Sequence, residues 1–148
     1  MFEGRIVRDP VDIASLARRL EELSSSRGGG ALAIFVGFVK GVVDGVEVRE
    51  LRYEAYEPYA SKKLSDIARS YASREGVHAV LILHRVGNLR PGDETIYVFV
   101  AANNRVRAFE VLREVVERVK HEVPIFKLEI RSDGEFWVLG DGKRVKRS

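Results

Sequence analysis

The sequence predicts an α+β fold, a two-layer α/β sandwich with a mostly antiparallel sheet. Three observations predict it. The elements run in the order βαββαββαββ, so helices alternate with hairpins rather than with single strands. Asp44-Gly45 and Asp133-Gly134 stand as turn signals between strand-like segments. The longest apolar run, ALAIFVGFV at 31–39, has the length of a buried strand and falls far short of the ~20 residues of a membrane span.

Residues 2–7 alternate as a first strand. Asp9 and Pro10 read as an N-cap and a first helical position. Ile13, Leu16, Ala17, Leu20 and Leu23 then repeat at helical spacing, which predicts a helix over 11–24. SSSRGGG at 24–30 is a loop, 31–39 a buried strand, and 46–56 a returning strand. Pro58 opens a second helix whose apolar face is Ala60, Leu64, Ile67 and Tyr71, with Gly76 as its end. Strands follow at 77–86 and 95–101 around the turn NLRPGDE. The third helix spans 104–121 with Phe109, Leu112, Val116 and Val119 inward, and Pro124 marks its stop. IFKLEI at 125–130 and EFWVL at 135–139 form a last hairpin.

At 148 residues the chain fits one domain, taken as 1–140, followed by a basic tail at 141–148 expected to be solvated. With 45% hydrophobic and 32% charged residues, the composition is neither disordered nor that of a membrane protein. Charges in MFEGRIVRDP occupy the place of a signal peptide's apolar core, so a cytoplasmic protein is expected. The absence of cysteine removes disulfides, thiolate metal sites and cysteine nucleophiles. The net charge of +3 favours anionic ligands without establishing nucleic-acid binding.

The sequence has no GxGxxG, Walker or GxSxG motif, and the glycines at 28–30 do not open a helix. His78, His84 and His121 lack a carboxylate at ligand spacing, so no metal is expected. His84 reads as a satisfied histidine, either in the core or supporting a residue that contacts a ligand, and Tyr53, Tyr56, Tyr97 and Phe99 read as core. Lys120 ends the third helix and Lys127 follows Pro124 in a strand. One reading is a dipole-complementing lysine and a solvated one. The other is that the turn at Pro124 brings both ammonium groups to one pocket, where each lowers the other's pKa and either can bind anions or move protons. Lys40 ends the FVGFVK strand, beside a glycine that permits close approach. Arg105, after Asn103 and Asn104, stands in the first turn of the third helix, where free N–H groups suit an anion; Asn103 or Asn104 equally reads as a plain cap.

FVGFVK at 35–40, YEAYEPYA at 53–60, HRVGNLRPGDETIYVFVAA at 84–102, VKHEVPIFKLE at 119–129 and DGEFWV at 133–138 follow one another in an order that resembles the family of molybdopterin synthase large, catalytic subunits. The resemblance implies an α/β-hammerhead-like fold with a small extra β subdomain. It implies a sulfurtransferase of molybdenum-cofactor biosynthesis that converts cyclic pyranopterin monophosphate (precursor Z) to molybdopterin. Two sulfurs come from a ubiquitin-like small subunit whose Gly-Gly C-terminus carries a thiocarboxylate. It further implies a homodimer of large subunits, hence a heterotetramer, and no cofactor, nucleic acid or membrane.

By position, the resemblance makes Lys120 and Lys127 catalytic. Phe38, Val39, Lys40, Asn104, Arg105, Lys120, Lys127, Leu128 and Glu129 become substrate-binding. Lys40 replaces the family's usual arginine and loses its bidentate fork. Asn104 replaces a histidine, which puts that residue's proton-transfer role in doubt. Glu129 either orients Lys127 or pairs with a surface charge. A chain without cysteine and ending in KRVKRS is expected to receive sulfur rather than to donate it. Two other readings are a non-catalytic phosphate-ligand module, suggested by Lys40 and Asn104, and a nucleic-acid binder, suggested by the basic tail.

Overall fold

The structure, a computed structural model, describes residues 1–147. Thirteen elements follow in order: β1 (Phe2–Val7), α1 (Ile13–Ser25), β2 (Ala31–Phe38), β3 (Val42–Val43), β4 (Val46–Ala55), α2 (Tyr59–Arg69), β5 (Val77–Arg85), β6 (Gly87–Leu89), β7 (Glu94–Ala102), α3 (Arg105–Glu122), β8 (Ile125–Arg131), β9 (Gly134–Val138) and β10 (Arg144–Lys146). The α+β class and the mostly antiparallel pairing are as predicted. Among the described residues only β1 and β5 run parallel.

Two sheets divide the strands. The first has the order β1-β5-β7-β2; the second has the order β10-β9-β8-β4-β3, with β6 also on β4. In the first sheet β5 and β7 are buried along nearly their whole length because helices cover both faces. Val80, Ile82, Val98 and Val100 pack under α2 and α3. Leu81, Leu83, Tyr97 and Phe99 pack under Leu20 of α1. The second sheet is the extra β unit, with its own cluster of Val39, Val43, Val48, Leu51, Tyr53, Val86 and Leu89.

The expected return of 46–56 along 31–39 is corrected. β2 pairs β7 in the first sheet, and β4 pairs β8 in the second. The hairpin at Asp44-Gly45 joins β4 only to the two residues of β3, with φ of 52° and 77° at its corners.

Helix ends also differ from expectation. Asp12, not Asp9, caps α1 by accepting from the Ser15 N–H at 3.1 Å. α2 stops at Arg69 rather than Gly76, because the Ser70 hydroxyl donates to the Ile67 carbonyl at 2.6 Å and closes the last turn. In α3 Ala108, Val111, Val115, Val116 and Val119 are buried, so Val116 and Val119 face inward as expected, while Phe109, also expected inward, is 65% exposed. α3 carries apolar residues on more than one face, so periodicity alone could not choose between them. No helix among the described residues is long and apolar enough to cross a membrane.

The basic stretch expected as a solvated tail is instead β10, whose three residues pair with β9. Ser148, the last residue of that stretch, lies outside the described residues.

Candidate active site

A cleft of about 380 Å³ opens where the two sheets meet the C-terminal end of α3. That volume is in the range of small-molecule sites. Its walls begin with a bulge. Gly37 of β2 pairs Ile96, but Phe38 pairs Glu94, so Thr95 is skipped and turns to the cleft. A Cβ on residue 37 would lie 2.7 Å from the Ile96 Cγ2, so only glycine lets β2 close on β7 here. Beyond it Val39 is anchored by its N–H to the Asp93 carbonyl at 2.9 Å.

The second sheet supplies the opposite wall as a register row. Tyr53 of β4 pairs Lys127 of β8, Lys127 pairs Val138 of β9, and Val138 pairs Arg144 of β10. All four line the cleft. Glu129, two residues beyond Lys127, shares that face. α3 then delivers Lys120 to the rim, and its last turn is pressed by the chain at Gly140, where a Cβ would lie 2.7 Å from the Lys120 carbonyl oxygen.

Lys40, Lys120, Lys127 and Arg144 thus face one carboxylate, Glu129, among the lining residues. Burial lowers Lys127 to about 8; the neighbouring ammonium of Lys120 and the guanidinium of Arg144 add to this, while Glu129 opposes it. The Lys127 ammonium lies 5.5 Å from the Tyr53 ring centroid. Glu129 is 3% exposed and takes two bonds from Arg144, Nε at 2.8 Å and an Nη at 3.2 Å. Arg131 approaches it at 3.8 Å.

Burial also shifts two neutral groups. It pushes the Tyr53 phenol up to about 12, against a hydrogen bond with Thr95. It pulls His84 down to about 4, with the hydrogen bond to the Arg85 carbonyl opposing and the lysine charges assisting. The His84 Nδ1 lies 2.8 Å from that carbonyl. A carbonyl only accepts, so Nδ1 carries the proton and Nε2 is left as an acceptor.

Of the residues singled out from the sequence, Phe38, Val39, Lys40, Lys120, Lys127 and Glu129 line the cleft. Leu128 does not; strand alternation turns it to the opposite face from Lys127. Asn104 and Arg105 do not either. They stand at the start of α3, where the Asn104 side chain caps the helix by accepting from the Arg107 N–H at 3.1 Å. Fifteen residues of helix, ~22 Å, separate Arg105 from Lys120. Four polar lining residues were not singled out as site residues: Tyr53, read as core, His84, read as core or as support for a ligand-contacting group, Thr95, and Arg144, read as tail. The Tyr53–Lys127–Val138–Arg144 row depends on pairing across four strands, which no local sequence signal encodes.

Known proteins give these observations a context. A model of the family described as MoaE protein matches residues 6–122. The molybdopterin synthase catalytic subunit of Pyrococcus abyssi is 38% identical over 136 residues, 92% of this chain and 90% of the relative. The molybdopterin synthase catalytic subunit of Bacillus subtilis is 34% identical over 139 residues, 93% of this chain and 85% of the relative. The crystal structure of molybdopterin synthase from Staphylococcus aureus aligns with a TM-score of 0.79 at 33% identity, covering 93% of this chain and 97% of that one.

Proposed function

The chain belongs to the MoaE protein family, and from that premise we propose that it is the catalytic subunit of a molybdopterin synthase acting in molybdenum-cofactor biosynthesis. It converts cyclic pyranopterin monophosphate to molybdopterin in the cytoplasm, with two sulfurs from the thiocarboxylated C-terminus of a ubiquitin-like small subunit. The relatives' name, catalytic subunit, itself implies a second subunit.

The observation that carries this reading is the convergence of Lys120 and Lys127 on one cleft, with the Lys127 amine lowered to about 8. An anionic substrate phosphate and a thiocarboxylate repel each other, and cations in a partly dry cleft offset that repulsion. Oxygen loss and sulfur addition also need proton transfers, and an amine poised near neutrality gives and takes protons better than an ordinary lysine. In this reading Lys127 works nearest the reacting carbons and the thiocarboxylate. Lys120 donates a proton or stabilises an anion at the rim, and Phe38, Val39 and Lys40 hold the substrate edge. His84, neutral with a free Nε2, can accept a hydrogen bond from substrate. Leu128 holds the strand from its far face.

Asn104 and Arg105 are ~22 Å of helix from Lys120. Any substrate contact by Arg105 therefore comes from a second copy of the chain, which fits a homodimer with one small subunit per large subunit. The test mixes the protein with cyclic pyranopterin monophosphate and a thiocarboxylated small subunit and measures molybdopterin. Product is expected only with both present. Product from free sulfide at physiological levels, without the small subunit, would sink the reading.

A further inference from the structure

We infer that Arg144 is a positioning residue that keeps the Glu129 carboxylate away from Lys127, so that the Lys127 amine stands in the cleft without an anionic partner. This rests on the reading of Lys127 as a working amine.

Glu129 and Lys127 are two residues apart on one face of β8, close enough for their side chains to meet. A buried carboxylate needs a cationic partner, and an unpaired one is costly. The nearest candidates are Lys127 on its own strand and the arginines. In the structure both carboxylate oxygens are taken by Arg144, at 2.8 and 3.2 Å, in a fork that an ammonium cannot reproduce. Arg131, 3.8 Å away, makes two closer bonds to Asp133, at 2.8 and 2.9 Å. Among the described residues Lys127 makes no ion pair, and its ammonium instead faces the Tyr53 ring.

The register explains why Arg144 can do this. It sits across β9 from Lys127, joined through Val138, a residue without charge. The guanidinium therefore reaches past Val138 to Glu129 rather than to the lysine. Around Lys127 the other charged or titratable groups are Lys120 from α3, Lys40 beyond β2, Tyr53 from β4 and His84 from β5. None of these carries a negative charge at neutral pH, given a phenol raised to about 12. Glu129 is thus the one lining anion that could capture Lys127, and Arg144 holds it.

The chemistry separates capture by Glu129 from simple loss of a nearby positive charge. Either would raise the Lys127 pKa when Arg144 is removed, but only capture requires the carboxylate. The experiment is competitive acetylation of the folded protein with acetic anhydride across pH 6–11, with the Lys127 peptide followed by mass spectrometry. Wild-type Lys127 is expected to reach half-reactivity near pH 8. Arg144→Gln is expected to move that midpoint up by about one pH unit or more. In a Glu129→Gln background the same change is expected to move it by less than half as much. Equal movement in both backgrounds, or none in the first, overturns the inference. If Arg144→Gln fails to fold, the same cycle is run with Arg144→Lys, which frees one carboxylate oxygen and is expected to give a smaller shift that still depends on Glu129. The readout needs no turnover. A raised midpoint with unchanged synthase activity would therefore count against Lys127 as the working amine and not against Arg144 as its guard.

Discussion

Lys127 and Tyr53 are register partners on neighbouring strands, and the lysine ammonium stands 5.5 Å from the centre of the phenol ring. The ring attracts the cation through its quadrupole, a weaker hold than a carboxylate's. With its phenol pushed up to about 12, Tyr53 stays neutral and does not tie the lysine down as an anion would. The lysine is held in place and still able to lose its proton.

Removing either amine should stop the chemistry without unfolding the chain. Lys127→Ala and Lys120→Ala are each expected to lower single-turnover molybdopterin formation by at least ~100-fold, the scale of lost acid–base or electrostatic catalysis. Arginine should not rescue either position, because guanidinium keeps its proton. Circular dichroism should be unchanged in all four variants. Near-normal rates in both alanine variants would return the pair to the status of surface charges.

Arg105 gives a test of the two-copy site. An Arg105→Ala chain and a Lys127→Ala chain should each be impaired as homodimers. A mixed dimer of the two carries one site with both wild-type residues and one with neither. Co-expression with distinct tags and isolation of the mixed dimer should recover activity well above either parent. No recovery would mean that Arg105 does not complete a neighbour's cleft.

His84 makes stability depend on acid. Its folded pKa of about 4 lies below the ordinary 6.5, so between these values the unfolded chain binds a proton that the folded chain refuses. Folding stability therefore falls as pH drops from 6.5 to 4. A His84→Gln variant is expected to be less stable than wild type at pH 7. The gap between their urea midpoints should narrow as pH falls through this window. A gap that stays constant would show that His84 titrates alike in both states.

Gly37 tests the wall of the cleft. A methyl group there meets the Ile96 Cγ2 at 2.7 Å and the Thr95 Oγ1 at 3.2 Å. Gly37→Ala should cost about 1–3 kcal/mol, as overpacking does, and should weaken substrate binding by displacing Thr95. Denaturant unfolding and a substrate titration measure the two effects separately.

The sequence made some of this plain and hid the rest for identifiable reasons. The helix faces of α1 and α2 were legible because the apolar residues within each recur at helical spacing, and Leu20 of α1 and Leu64 and Ile67 of α2 are buried. The exposed Phe109 misled because α3 is apolar on two sides. Lys120 and Lys127 were legible through resemblance, and Pro124 explains how seven residues fold back to share a cleft. Arg144 was hidden in KRVKRS, where basic residues outweigh the one apolar side chain and no alternation marks a strand. Its place follows only from pairing with β9, a non-local fact. The same holds for Tyr53 and His84, which are buried as their neighbours in sequence suggest yet are buried against a cleft.

β10, only three residues long, lies at the free edge of its sheet. Short edge strands are among the first segments to open in native-state hydrogen exchange. The guanidinium that occupies Glu129 is mounted on this margin, so an opening of β10 would release the carboxylate toward Lys127. Whatever pinned β10 would by the same geometry keep the carboxylate on Arg144 and leave the amine unpaired.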